Sequence, residues 1–401
     1  MALLHIPLNQ IDEARLQAII AGGAAESRTI DYKRTSYGNA DTDYAEFLAD
    51  ISSFANTSGG DLVIGMDAAD GVPTAITPLT MPIDSEKLRL EQIARGGLQP
   101  RIANVNFQPV SIRGGGNVLI IRVPRSYNPP HRVIRQGRNR FWARSAAGKY
   151  EPDVNELRSL FNAGPQIAER IRNFRLDRIA KIAARQAPVQ LMDRGTVVLY
   201  IVPLSAFDVN STNLRLDQIE HDYHTFVPFG SQSASGSRIT FEGVLKTSNA
   251  DQKAAQHRAY LQVYRNGIVE TVDSTVASVT SGTPIISGLD DKLVYETLRN
   301  LEDLAAAGVE PPYAILVSML GVMGAQIHLV RALHDPAWYD HLSRALDRDQ
   351  YHFDDVLFET VPASQAATAI VMRPALDQMA NAGGAATSPI FDKQDQYIPT
   401  R

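Results

Sequence analysis

Two acids five residues apart and a lysine, Glu26, Asp31 and Lys33, gather at one short alternating segment, and a third acid, Asp67, follows an apolar run. Carboxylates that converge from separate segments are hard oxygen ligands for Mg²⁺ or Mn²⁺, ions that polarise a phosphate and activate water. A lysine beside them offsets charge developing on a phosphodiester. Further on, Arg113, Arg122, Arg125, Arg132, Arg135, Arg138, Arg140 and Arg144 occur without an intervening Asp or Glu. Guanidinium forks match phosphate oxygens, and the interleaved Tyr127, Phe141 and Trp142 could stack on unpaired bases. Metal-type acids beside a phosphate-type surface make nucleic acid the expected partner. The same residues admit plainer readings. Asp31 and Lys33 can be a solvent-facing pair, Asp67 can open a turn that runs to Gly71, and the arginines can pair with acids elsewhere. Asp61 is a rival third acid, one strand length from Asp67.

The elements that must position these groups are legible in part. Ile11 to Ile20 reads as an amphipathic helix closed by Gly22-Gly23. Thr29 to Lys33 alternates, with Ile30 and Tyr32 on one face and Thr29, Asp31 and Lys33 on the other. From Asp41, a candidate cap, Tyr44, Phe47, Leu48, Ile51 and Phe54 stripe a helix that ends at Gly59-Gly60. Leu62 to Met66 is then a buried-type strand running to Asp67. A Pro- and Thr-rich loop follows, then a helix over Ser85 to Ala94. Strands over Ala103 to Ile112 and Asn117 to Val123 flank a Gly114–Gly116 turn. A last strand over Asn139 to Arg144 and a helix over Asp153 to Phe161 close the unit.

Beyond it, Gln166 to Ala187 is helical and Val197 to Val202 a strand. Gly230 to Ser237 is a loop, Ile239 to Lys246 and Tyr260 to Val272 are strands, and Leu289 to Ala307 is a helix. Ala314 to Leu320 fits strand or buried helix, and Ala337 to Leu346 and Ala375 to Ala382 are weaker elements. The expected class is α+β (mixed α/β) in two domains, 1–164 and 165–385, with a tail over 386–401; the Gly-, Ala- and Pro-rich stretch from Gly383 onward is expected to be loosely attached or used between subunits.

The chain of 401 residues carries 39 basic and 44 acidic side chains. Residues 1–164 hold 18 and 17 of them, leaving 21 and 27 for residues 165–401, so the acidic excess lies in the second part. That part is expected to act as a partner surface, making a homo-oligomer through the C-terminal domain. With no cysteine, disulfides, thiolate nucleophiles and cysteine zinc sites are excluded. His221 and His224 could form a metal pair on a helix, though two histidines in a polar segment carry little weight. There is no P-loop, so no nucleotide cofactor is indicated. No apolar run is long enough to span a membrane, and the start lacks a basic n-region and long h-region. A cytoplasmic location is expected.

Four segments carry a resemblance: ESRTIDYK at 26–33, FANTSGGDLVIGMDAADG at 54–71, VLIIRVPRS at 118–126 with PPH at 129–131, and RNRFWARSAAGKY at 138–150. Residues 24–161 thereby resemble the Schlafen AlbA_2 domain family, often described as a DNA-binding domain. The resemblance implies binding of DNA or RNA. Some Schlafen proteins are RNases that cut tRNA or rRNA with three carboxylates. By motif those fall on Glu26, Asp31 and Asp67, which would hold a divalent metal, Mg²⁺ or Mn²⁺, with Lys33 at the scissile phosphate. Arg34, Arg132, Arg135, Arg138, Arg140 and Arg144 would hold the backbone. The second acid of the family is more usually Glu, so Asp31 shortens one arm. A non-catalytic regulator and an oligomeric assembly module are the alternatives.

Overall fold

The computed structural model describes residues 3, 6–135, 137–208, 214–249, 256–280, 282–330 and 340–399. The chain forms two units, Met1–Ala168 and Glu169–Arg401.

In the first unit, α1 (Glu13–Ala21) precedes β1 (Ile30–Lys33), α2 (Asp41–Ala55), β2 (Gly60–Ile64), the hairpin β3 (Met66–Ala69) and β4 (Val72–Ile76), and α3 (Ile83–Gly97). Then come β5 (Leu98–Gln99), β6 (Asn106–Ser111), β7 (Asn117–Val123), β8 (Arg132–Arg135), β9 (Arg138–Phe141), β10 (Ala143–Ser145) and β11 (Gly148–Tyr150). The central sheet has the order β1-β2-β7-β6, with β1 parallel to β2 and the rest antiparallel. Successive side chains on a strand point to opposite faces, and here both faces are covered. Leu119, Ile121 and Val123 pack with Phe47, Leu48, Ile51 and Phe54 of α2, while Val118 and Ile120 pack with Leu16 and Ile19 of α1.

Several expectations need correction. Asp41 is the first helical residue, not the cap; the Asp43 carboxylate accepts the Ala40 N–H at 3.1 Å and closes that end. The strand expected to run to Asp67 breaks at Gly65 (φ +99°) and re-forms as β3 in a different sheet. The reversal comes later, at Asp70 and Gly71 (φ +50° and +74°), a left-handed pair that suits a two-residue hairpin. β4, inside the Pro- and Thr-rich stretch, pairs with β3.

Helix α4 (Val154–Ala183) is continuous through Pro165, where the sequence suggested two helices, and it begins in one unit and ends in the other. In the second unit follow β12 (Thr196–Pro203), α5 (Leu216–His221), β13 (Gly236–Ile239), β14 (Gly243–Thr247), β15 (Ala259–Tyr264), β16 (Val269–Asp273), β17 (Ala277–Thr280) and β18 (Thr283–Ser287). The chain continues through α6 (Leu289–Ala306), β19 (Tyr313–Leu320), β20 (Gln326–Val330), β21 (Asp340–Ala345), β22 (Gln350–His352), β23 (Val356–Phe358) and α7 (Gln365–Ala382). The large sheet runs β13-β14-β15-β16-β12-β19-β22, with β23 also on β19. The apolar run at 314–320 is thus a strand, and 340–345, at the end of a weak element, is one too; residues 337–339 lie outside the described residues. Leu293, Leu301 and Leu304 of α6 and Met372, Leu376 and Met379 of α7 bury against the sheet. The tail is not loosely attached, because Ile390 and Phe391 are buried in that core and Phe391 bridges to Tyr397.

Candidate functional site

β1 carries Ile30 and Tyr32 into the α1 side of the sheet, which turns Asp31 toward the α2 side. Asp31 is not a solvent-facing residue: it is buried, as is Asp50 in the middle of the α2 stripe at 1% exposure. The Lys33 ammonium lies 3.5 Å from an Asp31 oxygen and 3.7 Å from an Asp50 oxygen, bridging the two. From β10, Arg144 comes within 3.3 Å of the other Asp31 oxygen. It also donates to the Ser27 carbonyl at 3.2 Å and stacks 4.6 Å from the Phe54 ring centroid. From β11, Lys149 donates to Asp50 at 2.8 Å and pairs with Glu46. The Tyr37 hydroxyl donates to Asp50 at 2.6 Å.

Glu26 adjoins Asp31. Its side chain accepts the Tyr32 N–H at 3.2 Å, and its backbone N–H donates to the Gly71 carbonyl at 2.7 Å, fastening the β3–β4 hairpin. Burial lifts the Glu26 carboxyl above its ordinary value, and Asp31 lifts it further. Burial acts on Asp31 in the same direction, but Lys33 and Arg144 outweigh it and hold Asp31 below its ordinary value. For Lys33, burial acts downward and the Asp50 and Asp31 charges raise it on balance.

Asp67 stands apart from this cluster in its bonding. It sits on β3 and pairs with Arg34 at 3.4 Å, and the Arg34 side chain is 67% exposed. Among the described residues, no group of three His, Cys, Asp or Glu side chains is arranged to hold an ion. Of the expected set Glu26, Asp31 and Asp67, the charge of Asp31 is met by Lys33 and Arg144, and Asp67 is engaged by Arg34. The rival Asp61 is buried in a two-pronged pair with Arg122, at 2.8 and 3.0 Å. His221 and His224 are exposed, and His221 contacts the Asp217 carbonyl.

The arginine run divides into interior and surface. Arg122 and Arg144 are buried, so Arg144 cannot grip a nucleic-acid backbone as expected; it is spent on Asp31. Arg135 pairs with Asp41 at 2.9 Å and lies 4.4 Å from the Tyr44 ring centroid. Arg132 donates to Gln99 at 2.7 Å, and Arg140 meets Glu151 at 2.6 Å with both side chains more than half exposed. Arg135 and Arg138 face each other across the β8–β9 ladder, and Val133 faces Arg140. The Arg138 side chain lies outside the described residues. Phe141 packs edge-on to Phe161 at 5.8 Å, and Trp142 packs against the α2 core.

A second set of buried charges, in the other unit, has no counterpart in the sequence reading. Lys246 of β14 donates to the carbonyls of Asp222 and of Thr225, the latter at 2.6 Å. On α6, Asp303 accepts the Phe226 N–H at 2.6 Å and Glu296 accepts the Gly230 N–H at 2.8 Å. Arg299 pairs with Glu296 and donates to the Ser231 and Val227 carbonyls at 2.8 and 2.9 Å. Burial pulls Lys246 down to about 8 and pushes Glu296 up to about 7. These four side chains satisfy the backbone of an irregular segment, 222–231, beside a cavity of about 330 Å³ lined by Tyr295, Glu296 and Tyr397.

Sequence reading missed Asp50, Lys149 and Tyr37 in the first cluster. The available signal was Asp50 itself, an acid among Phe47, Leu48, Ile51 and Phe54 on one helix face.

In comparison with known protein families, residues 26–153 match Schlafen, AlbA_2. Two solved structures are similar. The DIP2311 protein from Corynebacterium diphtheriae is 18% identical over 38% of this chain and 28% of that one, with a TM-score of 0.27. The N-terminal domain of a RecG-related protein from Nitrosomonas europaea is 22% identical over 29% of this chain and 74% of that one, with a TM-score of 0.23. The chain thus spans about a quarter of the length of the first. No curated protein matches it.

Proposed function

We propose, from a first unit whose residues 26–153 match the Schlafen AlbA_2 domain, that the protein binds nucleic acid through the β8–β9 hairpin, with Arg34 after β1 as a further contact. The observation that carries this reading is the hairpin itself, four arginines within nine residues, two of them opposed across the ladder. Arg140 and Arg34 are held by exposed carboxylates, and such surface pairs exchange for phosphate at little cost. Arg132 and Arg135 are half-buried against Gln99 and Asp41 and present part of each guanidinium. Phosphate contacts of this kind give affinity without sequence choice.

Binding of labelled single-stranded RNA and DNA, titrated at several salt concentrations, tests the proposal. Affinity that falls steeply with salt, and falls further in Arg34→Ala with Arg140→Ala, supports it. Affinity that ignores both salt and these substitutions overturns it.

Metal-dependent cleavage of RNA is the second reading, favoured by the contact of Glu26 with Asp31 beside the partly exposed Lys33. Incubating tRNA with the protein and Mg²⁺ or Mn²⁺ separates the readings. Cutting that is lost in Glu26→Ala with Asp67→Ala establishes a nuclease; intact tRNA leaves binding as the activity. Self-association through the second unit has a candidate contact in Phe241, 91% exposed at the β13–β14 turn. Light scattering of Phe241→Asp against the natural chain tests it.

A further inference from the structure

The first unit contains four acids, Glu26, Asp31, Glu46 and Asp50, interleaved with three cations, Lys33, Arg144 and Lys149. Those side chains come from the segment before β1, from β1 itself, from α2, and from β10 and β11. Asp31 is reached by Lys33 on one oxygen and Arg144 on the other. Asp50 is reached by Lys149 on one oxygen and by Lys33 and Tyr37 on the other. Every oxygen of the two buried carboxylates thus faces a cation or a hydroxyl of this chain. A divalent ion needs several such oxygens turned toward one point, and here the point between Asp31 and Asp50 is taken by the Lys33 ammonium. The charges nearly balance, with three cations set among the four acids.

We infer that this cluster is a self-neutralised ionic core in which Lys33, Arg144 and Lys149 stand where a metal ion would be needed. Its work is to tie the β10–β11 hairpin to α2 and β1, behind the arginine hairpin that precedes it in the chain. Arg144 is accordingly a positioning residue, and it acts through Asp31. The inference rests on the same domain as the proposed nucleic-acid surface, but it does not require that surface to bind anything.

Titrating the full chain with Mn²⁺ without nucleic acid, followed by electron paramagnetic resonance of free Mn²⁺, tests it. The natural chain is expected to show no saturable site tighter than about 1 mM. Removing one internal cation leaves acids without a counter-ion, so Lys149→Met, and separately the more exposed Lys33→Met, should bind Mn²⁺ at least about tenfold more tightly. A purely structural lysine would not raise metal affinity when lost. Arg185→Ala, on the exposed surface of the second unit, should leave Mn²⁺ binding as it is. Tight Mn²⁺ binding by the natural chain that Asp31→Asn abolishes overturns the inference. So does the absence of any gain in both lysine variants, each checked for a native circular-dichroism spectrum. Failure of RNA or DNA binding, measured separately with and without chelator, would count against the proposed function and leave this result untouched.

Discussion

Two buried charge clusters, one in each unit, are settled in different ways. In the first, the buried Asp31 meets Lys33 of its own strand and Arg144 of β10, and Asp50 meets Lys33 and Lys149. In the second, Lys246 and Asp303 bond the backbone of residues 222–231, and Glu296 divides itself between that backbone and Arg299. Direct opposition lowers Asp31 despite its burial. Burial outweighs the Arg299 charge and the Gly230 N–H at Glu296, which rises to about 7, and outweighs the acids around Lys246, which falls to about 8. The contrast teaches that partners settle a buried charge only where their combined pull exceeds the cost of burial.

The largest expected effect comes from breaking an opposed pair. Arg144→Met leaves Asp31 with less than its full counter-charge and should cost the first unit about 3–5 kcal/mol, measured by urea unfolding. A loss below about 1 kcal/mol would erase the distinction between the two clusters.

For the second unit the prediction is one of pH. Glu296 has a folded value near 7 against 4.5 when unfolded, so the folded state binds the extra proton between them. Stability should fall as pH rises from about 4.5 to about 7, by roughly 3 kcal/mol, and Glu296→Gln should remove that fall. An unchanged slope in the variant would show that another group titrates there.

Lys246 runs the other way. Its folded value near 8 lies below 10.5, so the unfolded state binds the proton between these values. Stability should climb between about pH 8 and pH 10.5, again by roughly 3 kcal/mol. Lys246→Met should flatten that climb while costing about 1–3 kcal/mol at neutral pH for the carbonyls it leaves without a donor. Thermal unfolding across this window gives both numbers.

The smallest effect belongs to the surface. Arg140→Ala should move stability by less than about 0.5 kcal/mol, yet lower the salt slope of nucleic-acid binding by about 1. A change in stability as large as that of Arg144→Met would place Arg140 with the interior arginines.

How much of this was legible depended on distance along the chain. The α2 stripe and the apolar runs of β2 and β7 declare themselves because a helix or a strand repeats within a few residues. The Glu26, Asp31, Lys33 group was visible for the same reason. Its completion was not: Lys149 meets Asp50 across 99 positions and Arg144 meets Ser27 across 117. Nothing in an arginine's neighbours separates the buried Arg144 from the exposed Arg140. Asp67 looked like a member because it follows an apolar strand, but Gly65 redirects the chain into another sheet. Lys246 read as the end of a strand, and its backbone partners more than twenty residues upstream left no trace in composition.

The turn at Gly71 links these matters in a way that invites engineering. Its φ of +74° already disfavours a side chain, and a Cβ there would stand 3.4 Å from the Cβ and an oxygen of Glu26. The hairpin tip is therefore a remote handle on the acids. A bulkier residue at position 71 should press on Glu26 from outside and report, through its neighbours, how stiffly the ionic core holds its shape.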